Sequence, residues 1–185
     1  MQQHAPKPSA LLIIDMQVGL FDGPERPWRA EQLLDNVNTL IAKARTANIP
    51  IFAVRHTGPQ HSPIAAGSPF WQLHPDLQLD ATVDTLIDKT RPSCFSGTAL
   101  AEQLQQAGIQ QLFIAGLKTQ YCIDTNCRIA ADMGLNPVLV ADAHSCMDTP
   151  GLSAQAIIAH HNATLGGPFV RLMATDEVVF QVIAE

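Results

Sequence analysis

Apolar runs bounded by turn residues recur along the chain, and helical spacings fill the intervals between them. Residues 10–14, Ala-Leu-Leu-Ile-Ile, read as a strand buried on both faces, the kind found in the middle of a parallel sheet. Residues 51–54, 82–87, 111–115, 137–141 and 169–173 read as five further strands. Between the first two, Leu33, Leu34, Val37, Leu40, Ile41 and Ala44 fall at helical spacing and predict an amphipathic helix. Further helices are expected over 99–107 with Thr98 as cap, from Thr119 to a stop at Gly134, over 153–161, and from Asp176. This alternation predicts an α/β fold: a three-layer α/β/α domain with a mostly parallel six-stranded sheet and helices on both faces.

Two stretches depart from the pattern. Residues 1–8 carry two prolines and no periodicity, and read as a flexible lead-in to a single domain over 9–185. Residues 58–80 contain Pro59, Pro63, Pro69 and Pro75 with only brief apolar clusters. An irregular connection of that length reads as a binding loop or lid. Phe70, Trp71 and His74 would then either line a pocket or pin the loop to the domain.

In an open parallel sheet ligands bind beyond the carboxyl ends of the strands, so polar residues at those ends carry the functional signal. Asp15 follows the first strand, His56 the second, Lys89 the third, and the turn before Cys122 the fourth. Right-handed crossovers bring these ends to one edge. Each has a plain alternative taken alone: Asp15 as a turn or cap residue, Lys89 as a solvated charge, Cys122 as a small buried hydrophobe. Together they form a candidate set for nucleophilic chemistry. With Thr119 as N-cap, Cys122 sits in the first helical turn, where unpaired N–H groups and the helix dipole favour the thiolate. Its pKa is therefore expected below the free value of about 8.5.

Composition narrows the function. The chain has 185 residues, 46% of them hydrophobic and 15% charged, with a net charge of -6, which argues against a nucleic-acid partner. No apolar run approaches a membrane span, and MQQHAPKPSA lacks the regions of a signal peptide, so a cytoplasmic location is expected. Four cysteines, Cys94, Cys122, Cys127 and Cys146, show no CxxC spacing and are expected to be reduced. The loop after the first strand, MQVGLFDGPERPW, has no GxGxxG, which weakens a dinucleotide-binding reading.

Three segments in order, LLIIDMQVGLF, DKTRPSCFSGTAL and AGLKTQYCIDTNCRIAADMGLNPVLVADAH, carry a resemblance to the isochorismatase-like cysteine hydrolases. That superfamily includes nicotinamidases and N-carbamoylsarcosine amidohydrolases. The resemblance covers nearly all of residues 9–180 and implies an Asp, Lys, Cys triad at Asp15, Lys89 and Cys122. It also implies a cis peptide between Leu117 and Lys118, and an oxyanion hole from the backbone N–H groups of Lys118 and Cys122. Gln17, Phe21, His56, Trp71 and Tyr121 are candidates for the substrate pocket. Nicotinamidases carry an aspartate and histidines after the second strand that bind a metal. Here AVRHTGPQHSPI has no aspartate at the expected spacing before His56, so no metal and no cofactor is expected, and His56 and His61 read as polar loop residues.

Siderophore-pathway isochorismatases hydrolyse a vinyl ether and typically lack the cysteine, so retention of Cys122 favours attack at a C–N carbonyl group. The expectation is a metal-independent cysteine hydrolase acting on a small amide, carbamoyl compound or lactam, assembled as a homodimer or homotetramer by resemblance. The alternatives are an isochorismatase-type vinyl ether hydrolase, a thiol redox protein and a flavodoxin-like binding module. Cys127, five residues after Cys122, is poorly placed as a resolving thiol, and no phosphate loop follows the first strand.

Overall fold

Every residue of the first strand is buried, and the alternation of its side chains decides the layering. The computed structural model describes residues 7–180. In chain order its elements are β1 (Ser9–Ile14), α1 (Val18–Phe21), α2 (Ala30–Thr46), β2 (Ile51–His56), β3 (Thr85–Lys89) and α3 (Leu100–Gln106). There follow β4 (Gln111–Leu117), a wide turn over Thr119–Ile123, α4 (Asp124–Asp132), β5 (Val138–Ser145), α5 (Ala154–Leu165) and β6 (Arg171–Met173). Leu11 and Ile13 belong to one apolar cluster with Leu33, Val37, Leu40 and Ile41 of α2. Ala10, Leu12 and Ile14 belong to another, with Leu100 and Leu104 of α3 and Cys127 and Ala130 of α4. Both faces of the sheet are therefore covered, as the apolar run in β1 requires.

All neighbouring strands pair in parallel, in the order β3-β2-β1-β4-β5-β6. The chain builds outward from β1 to β3 on one side and from β4 to β6 on the other. The loops leaving β1 and β4 consequently diverge and open a crevice at the carboxyl edge. Register sets the rim: Ile14 lies opposite Gly116, and His56 lies opposite Lys89.

At Gly116 the backbone of β1 leaves no room for a side chain on β4. The Gly116 φ is 118°, and a Cβ there would collide with the backbone of Ile14. Gly116→Ala is expected to cost about 3 kcal/mol or more, since the obstructing atoms are main chain in two central strands and have nowhere to retreat. Chemical denaturation measures this directly, and an unchanged midpoint would contradict the assigned register.

Four strands run further at their carboxyl ends than the apolar pattern alone suggested. β2 continues through Arg55 and His56, β3 starts at Thr85 and includes Lys89, and β4 and β5 continue to Leu117 and Ser145. His56 is thus a strand residue and not part of the following loop, and Lys89 is the last residue of its strand. β3 is an edge strand whose alternate positions are solvated, so its polar residues masked its extent. β6 keeps only three residues. Ser153 caps α5 by accepting the Ala156 N–H, whereas Ala99 precedes α3 without a side-chain cap. Thr98 Oγ1 instead accepts from Leu100 N and donates to the Cys94 carbonyl. In place of a helix from Asp176 there is a turn closed by Glu177 N on Ala174 O, and residues 181–185 lie outside those described.

Most of the lead-in also lies outside the described residues, but the Pro8 carbonyl accepts from Gln110 N and Gln111 N. The 58–80 segment is irregular apart from a single helical turn at Pro69–Trp71, capped by Ser68. Among the described residues no helix is long and apolar enough to cross a membrane.

Candidate active site

The crevice edge brings together side chains from three strands and the turn after a fourth. Asp15 leaves β1 in the left-handed backbone region, φ 53°, which short polar residues tolerate best. Its N–H donates to Val54 O at 2.9 Å and its carbonyl accepts Gln17 N at 2.9 Å, so both flanks are held. Lys89 crosses from the end of β3 with its side chain fully buried and places its ammonium at 2.8 Å from Asp15 Oδ2. The same ammonium reaches Cys122 Sγ at 3.2 Å and His56 Nδ1 at 3.2 Å. All three of its protons have acceptors. Asp15 Oδ1 is buried and has no hydrogen-bond partner among the described residues.

Cys122 does not occupy the first turn of an ordinary helix. Residues Thr119–Ile123 form a single π turn, with Ile123 N donating to Lys118 O at 3.2 Å, and α4 begins only at Asp124. Thr119 is not its cap, because the residue flanking the turn is Lys118, which makes no side-chain cap bond. The Thr119 hydroxyl instead meets His144 Nδ1 at 2.9 Å, and His144 Nε2 meets Asn162 Oδ1 at 2.9 Å. Burial depresses the His144 pKa to about 4. The imidazole is therefore neutral, donating from Nε2 and accepting the Thr119 hydroxyl, which anchors the π turn to β5 and α5. The peptide between Leu117 and Lys118 is cis.

The charge state of Cys122 also differs from expectation. Burial first, and then the Asp15 carboxylate, push its pKa up to about 12, against the opposing pull of the Lys89 ammonium. The resting group is a thiol, because desolvation and a neighbouring anion outweigh the helix-terminus effect that a sequence reading sees. Asp15 is raised as well, chiefly by burial and in spite of Lys89. Burial also works against the charge on Lys89, but Asp15 and then Cys122 overcome it and raise the ammonium's pKa. His56 is lowered by burial and by Lys89, in keeping with a neutral ring accepting from the ammonium. The pair to consider is thus a carboxylate made more basic beside a thiol that must be deprotonated to react.

One donor atom each from Asp15, His56 and Cys122 lie within 4.8 Å of one another, close enough to suggest a metal centre. Lys89 decides against it. Its ammonium already bonds to all three residues, and a divalent ion would have to displace a buried cation from its carboxylate. This donor set does not fit a metal.

The other pocket candidates divide. Gln17 is buried and donates to His56 O at 3.0 Å and Trp71 O at 2.9 Å while accepting His56 N at 2.8 Å. It stitches the 58–80 segment to β2. Phe21 is buried in the α2-side cluster with its ring 4.8 Å from that of His74. Trp71 donates its indole N–H to Thr57 Oγ1 at 2.8 Å and carries the Arg55 guanidinium 3.6 Å from its ring centroid. Tyr121 stands exposed on the π turn beside Cys122. A separate cavity of about 300 Å³ lies along β5, bounded by Trp28, Arg29, His144 and Asn162, and includes none of Asp15, Lys89 or Cys122.

Known proteins share this arrangement at the level of the whole domain. Residues 9–167 match the Isochorismatase domain. A streptothricin hydrolase of Streptomyces noursei is 30% identical over 141 residues, 76% of this chain, but the match spans only 51% of that protein's own length. Nicotinamidase 3 of Arabidopsis thaliana is 30% identical over 152 residues, 74% of this chain and 73% of its own. The crystal structure of an isochorismatase family protein superposes with a TM-score of 0.85 at 35% identity, covering 92% of this chain and all of the other. The domain match across 9–167, on a fold that superposes over 92% of the chain with a solved member, places the chain in the isochorismatase family of hydrolases.

Proposed function

We propose that the protein is a metal-independent cysteine amidohydrolase that cleaves a C–N bond of a small amide, carbamoyl compound or lactam. The observation that carries this is the Lys89 ammonium held at once by the Asp15 carboxylate and the Cys122 sulfur, with the second Asp15 oxygen unpaired. That oxygen takes the thiol proton as Sγ attacks the carbonyl carbon. The backbone N–H groups of Lys118 and Cys122 receive the developing oxyanion. Collapse breaks the C–N bond, and Asp15 returns the proton to the departing amine. The thioester is then attacked by water, which gives a proton to Asp15. The C–S bond breaks, the carboxylic acid leaves, and the thiol is restored with that proton. His56, Trp71 and Tyr121 are the side chains assigned to the substrate wall. Two relatives, named a nicotinamidase and a streptothricin hydrolase, support hydrolysis of this kind.

The test is a panel of small primary amides, N-carbamoyl compounds and lactams, quenched in acid during turnover and followed by mass spectrometry of the peptide containing Cys122. An acyl adduct on Cys122 that forms and decays with product is the expected result. Turnover of a vinyl ether with no adduct on any substrate would overturn it.

A further inference from the structure

Asn126 is a buried polar group that the proposed chemistry leaves unused. It lies four residues after Cys122 in α4 and is fully buried. Asparagine is a poor residue for a helix interior because its amide competes with the backbone for partners. Here the competition is productive. Oδ1 accepts Cys94 N–H at 2.7 Å, while Nδ2 donates to Pro92 O at 3.0 Å and to Cys122 O at 2.7 Å.

The partners define what the amide connects. Pro92 and Cys94 belong to the turn that leaves β3 just after Lys89, and the Cys122 carbonyl belongs to the nucleophile itself. In the sheet, β3 and β4 are separated by β2 and β1, so no ladder bonds join the strand carrying Lys89 to the strand leading to Cys122. The Lys89–Cys122 contact joins residues 33 apart at the end of a flexible four-carbon stem. A direct tie between the two backbones is what such a contact lacks, and the Asn126 amide supplies it.

We propose that Asn126 is a positioning residue: it fixes the Cys122 turn against the Pro92–Cys94 turn and so sets the distance between the Lys89 ammonium and the Cys122 sulfur. The inference rests on the reading of Cys122 as nucleophile. Without the tie, the π turn keeps its anchor through Thr119 and His144 on one side only. Cys122 then drifts from the cation that favours its thiolate.

The experiment compares wild type with Asn126→Ala, Asn126→Ser and Asn126→Asp. It records the alkylation rate of Cys122 against pH, kcat and KM on the member of the amide panel that wild type turns over fastest, and the thermal midpoint. At about pH 8 alkylation is expected to slow by roughly tenfold, one pKa unit of lost thiolate stabilisation. kcat is expected to fall about 10- to 100-fold with KM changed by less than about threefold, the cost of misplacing a reacting group by around 1 Å. Serine can donate back to the Cys122 carbonyl but cannot reach the 92–94 turn, so it should behave like alanine. Aspartate is nearly isosteric and guards against a folding failure of the alanine variant. It keeps the bond from Cys94 N and loses both donated bonds, and should shift alkylation and kcat in the same direction.

A lowered thermal midpoint with unchanged alkylation and unchanged kcat would make Asn126 a packing residue and overturn the proposal. The failure of the underlying reading looks different: wild-type Cys122 would itself be no more reactive than Cys94, Cys127 and Cys146, and both conclusions would fall together.

Discussion

Cys122→Ala is expected to lose hydrolytic turnover by about 10⁵-fold while the protein stays folded, because the covalent route ends with the sulfur and nothing nearby replaces it. The side chain is small and only 9% exposed, and the void left by one sulfur is minor. Lys89 would lose one of its three acceptors but keep Asp15 at 2.8 Å and His56 at 3.2 Å. The stability change should therefore stay within about 1–2 kcal/mol. Turnover on the amide panel and a denaturation midpoint measured on the same preparation separate the two effects. Activity within tenfold of wild type on those amides would remove the thioester mechanism.

How far the sequence alone reaches depends on whether a feature is local. β1 is legible because five consecutive apolar residues have no other economical reading, and the ends of β1, β3 and β4 place Asp15, Lys89 and Cys122 on one edge by topology alone. The π turn is not legible in this way. It depends on where β4 delivers Lys118 and on His144, 25 residues further along, taking the Thr119 hydroxyl that would otherwise cap a helix. The protonation state of Cys122 is still less local. A cysteine near a helix start predicts a lowered pKa, but the sign is set by burial and by a carboxylate that arrives from β1. Asn126 did leave a trace, an amide residue four places after Cys122 inside an otherwise regular helix, but its partners at Pro92 and Cys94 are visible only in three dimensions.

The same electrostatics yields a second prediction of comparable size, in which two variants agree in one assay and disagree in another. Asp15→Asn removes the proposed base and should lower hydrolysis by about 10³- to 10⁴-fold. Asparagine tolerates the left-handed backbone at this position, so the rim keeps its shape. Lys89→Met should lower hydrolysis by a similar factor, since Asp15 loses the ammonium bonded to its Oδ2. Alkylation of Cys122 by iodoacetamide separates them. Asp15 is one of the causes that push the thiol up to about 12, and Lys89 is the charge that opposes them. Removing the carboxylate should move the Cys122 titration to lower pH. Each unit gained multiplies the thiolate fraction at neutral pH by ten, so the asparagine variant should alkylate faster than wild type while being nearly dead as a hydrolase. Removing the ammonium should move the titration the other way, and the methionine variant should alkylate more slowly. If both variants slow alkylation, the carboxylate is assisting thiol ionisation even without an amide substrate. If both leave it unchanged, the contacts of 2.8 Å and 3.2 Å through Lys89 do not govern the thiol at all, and the nucleophile must be activated by the substrate itself.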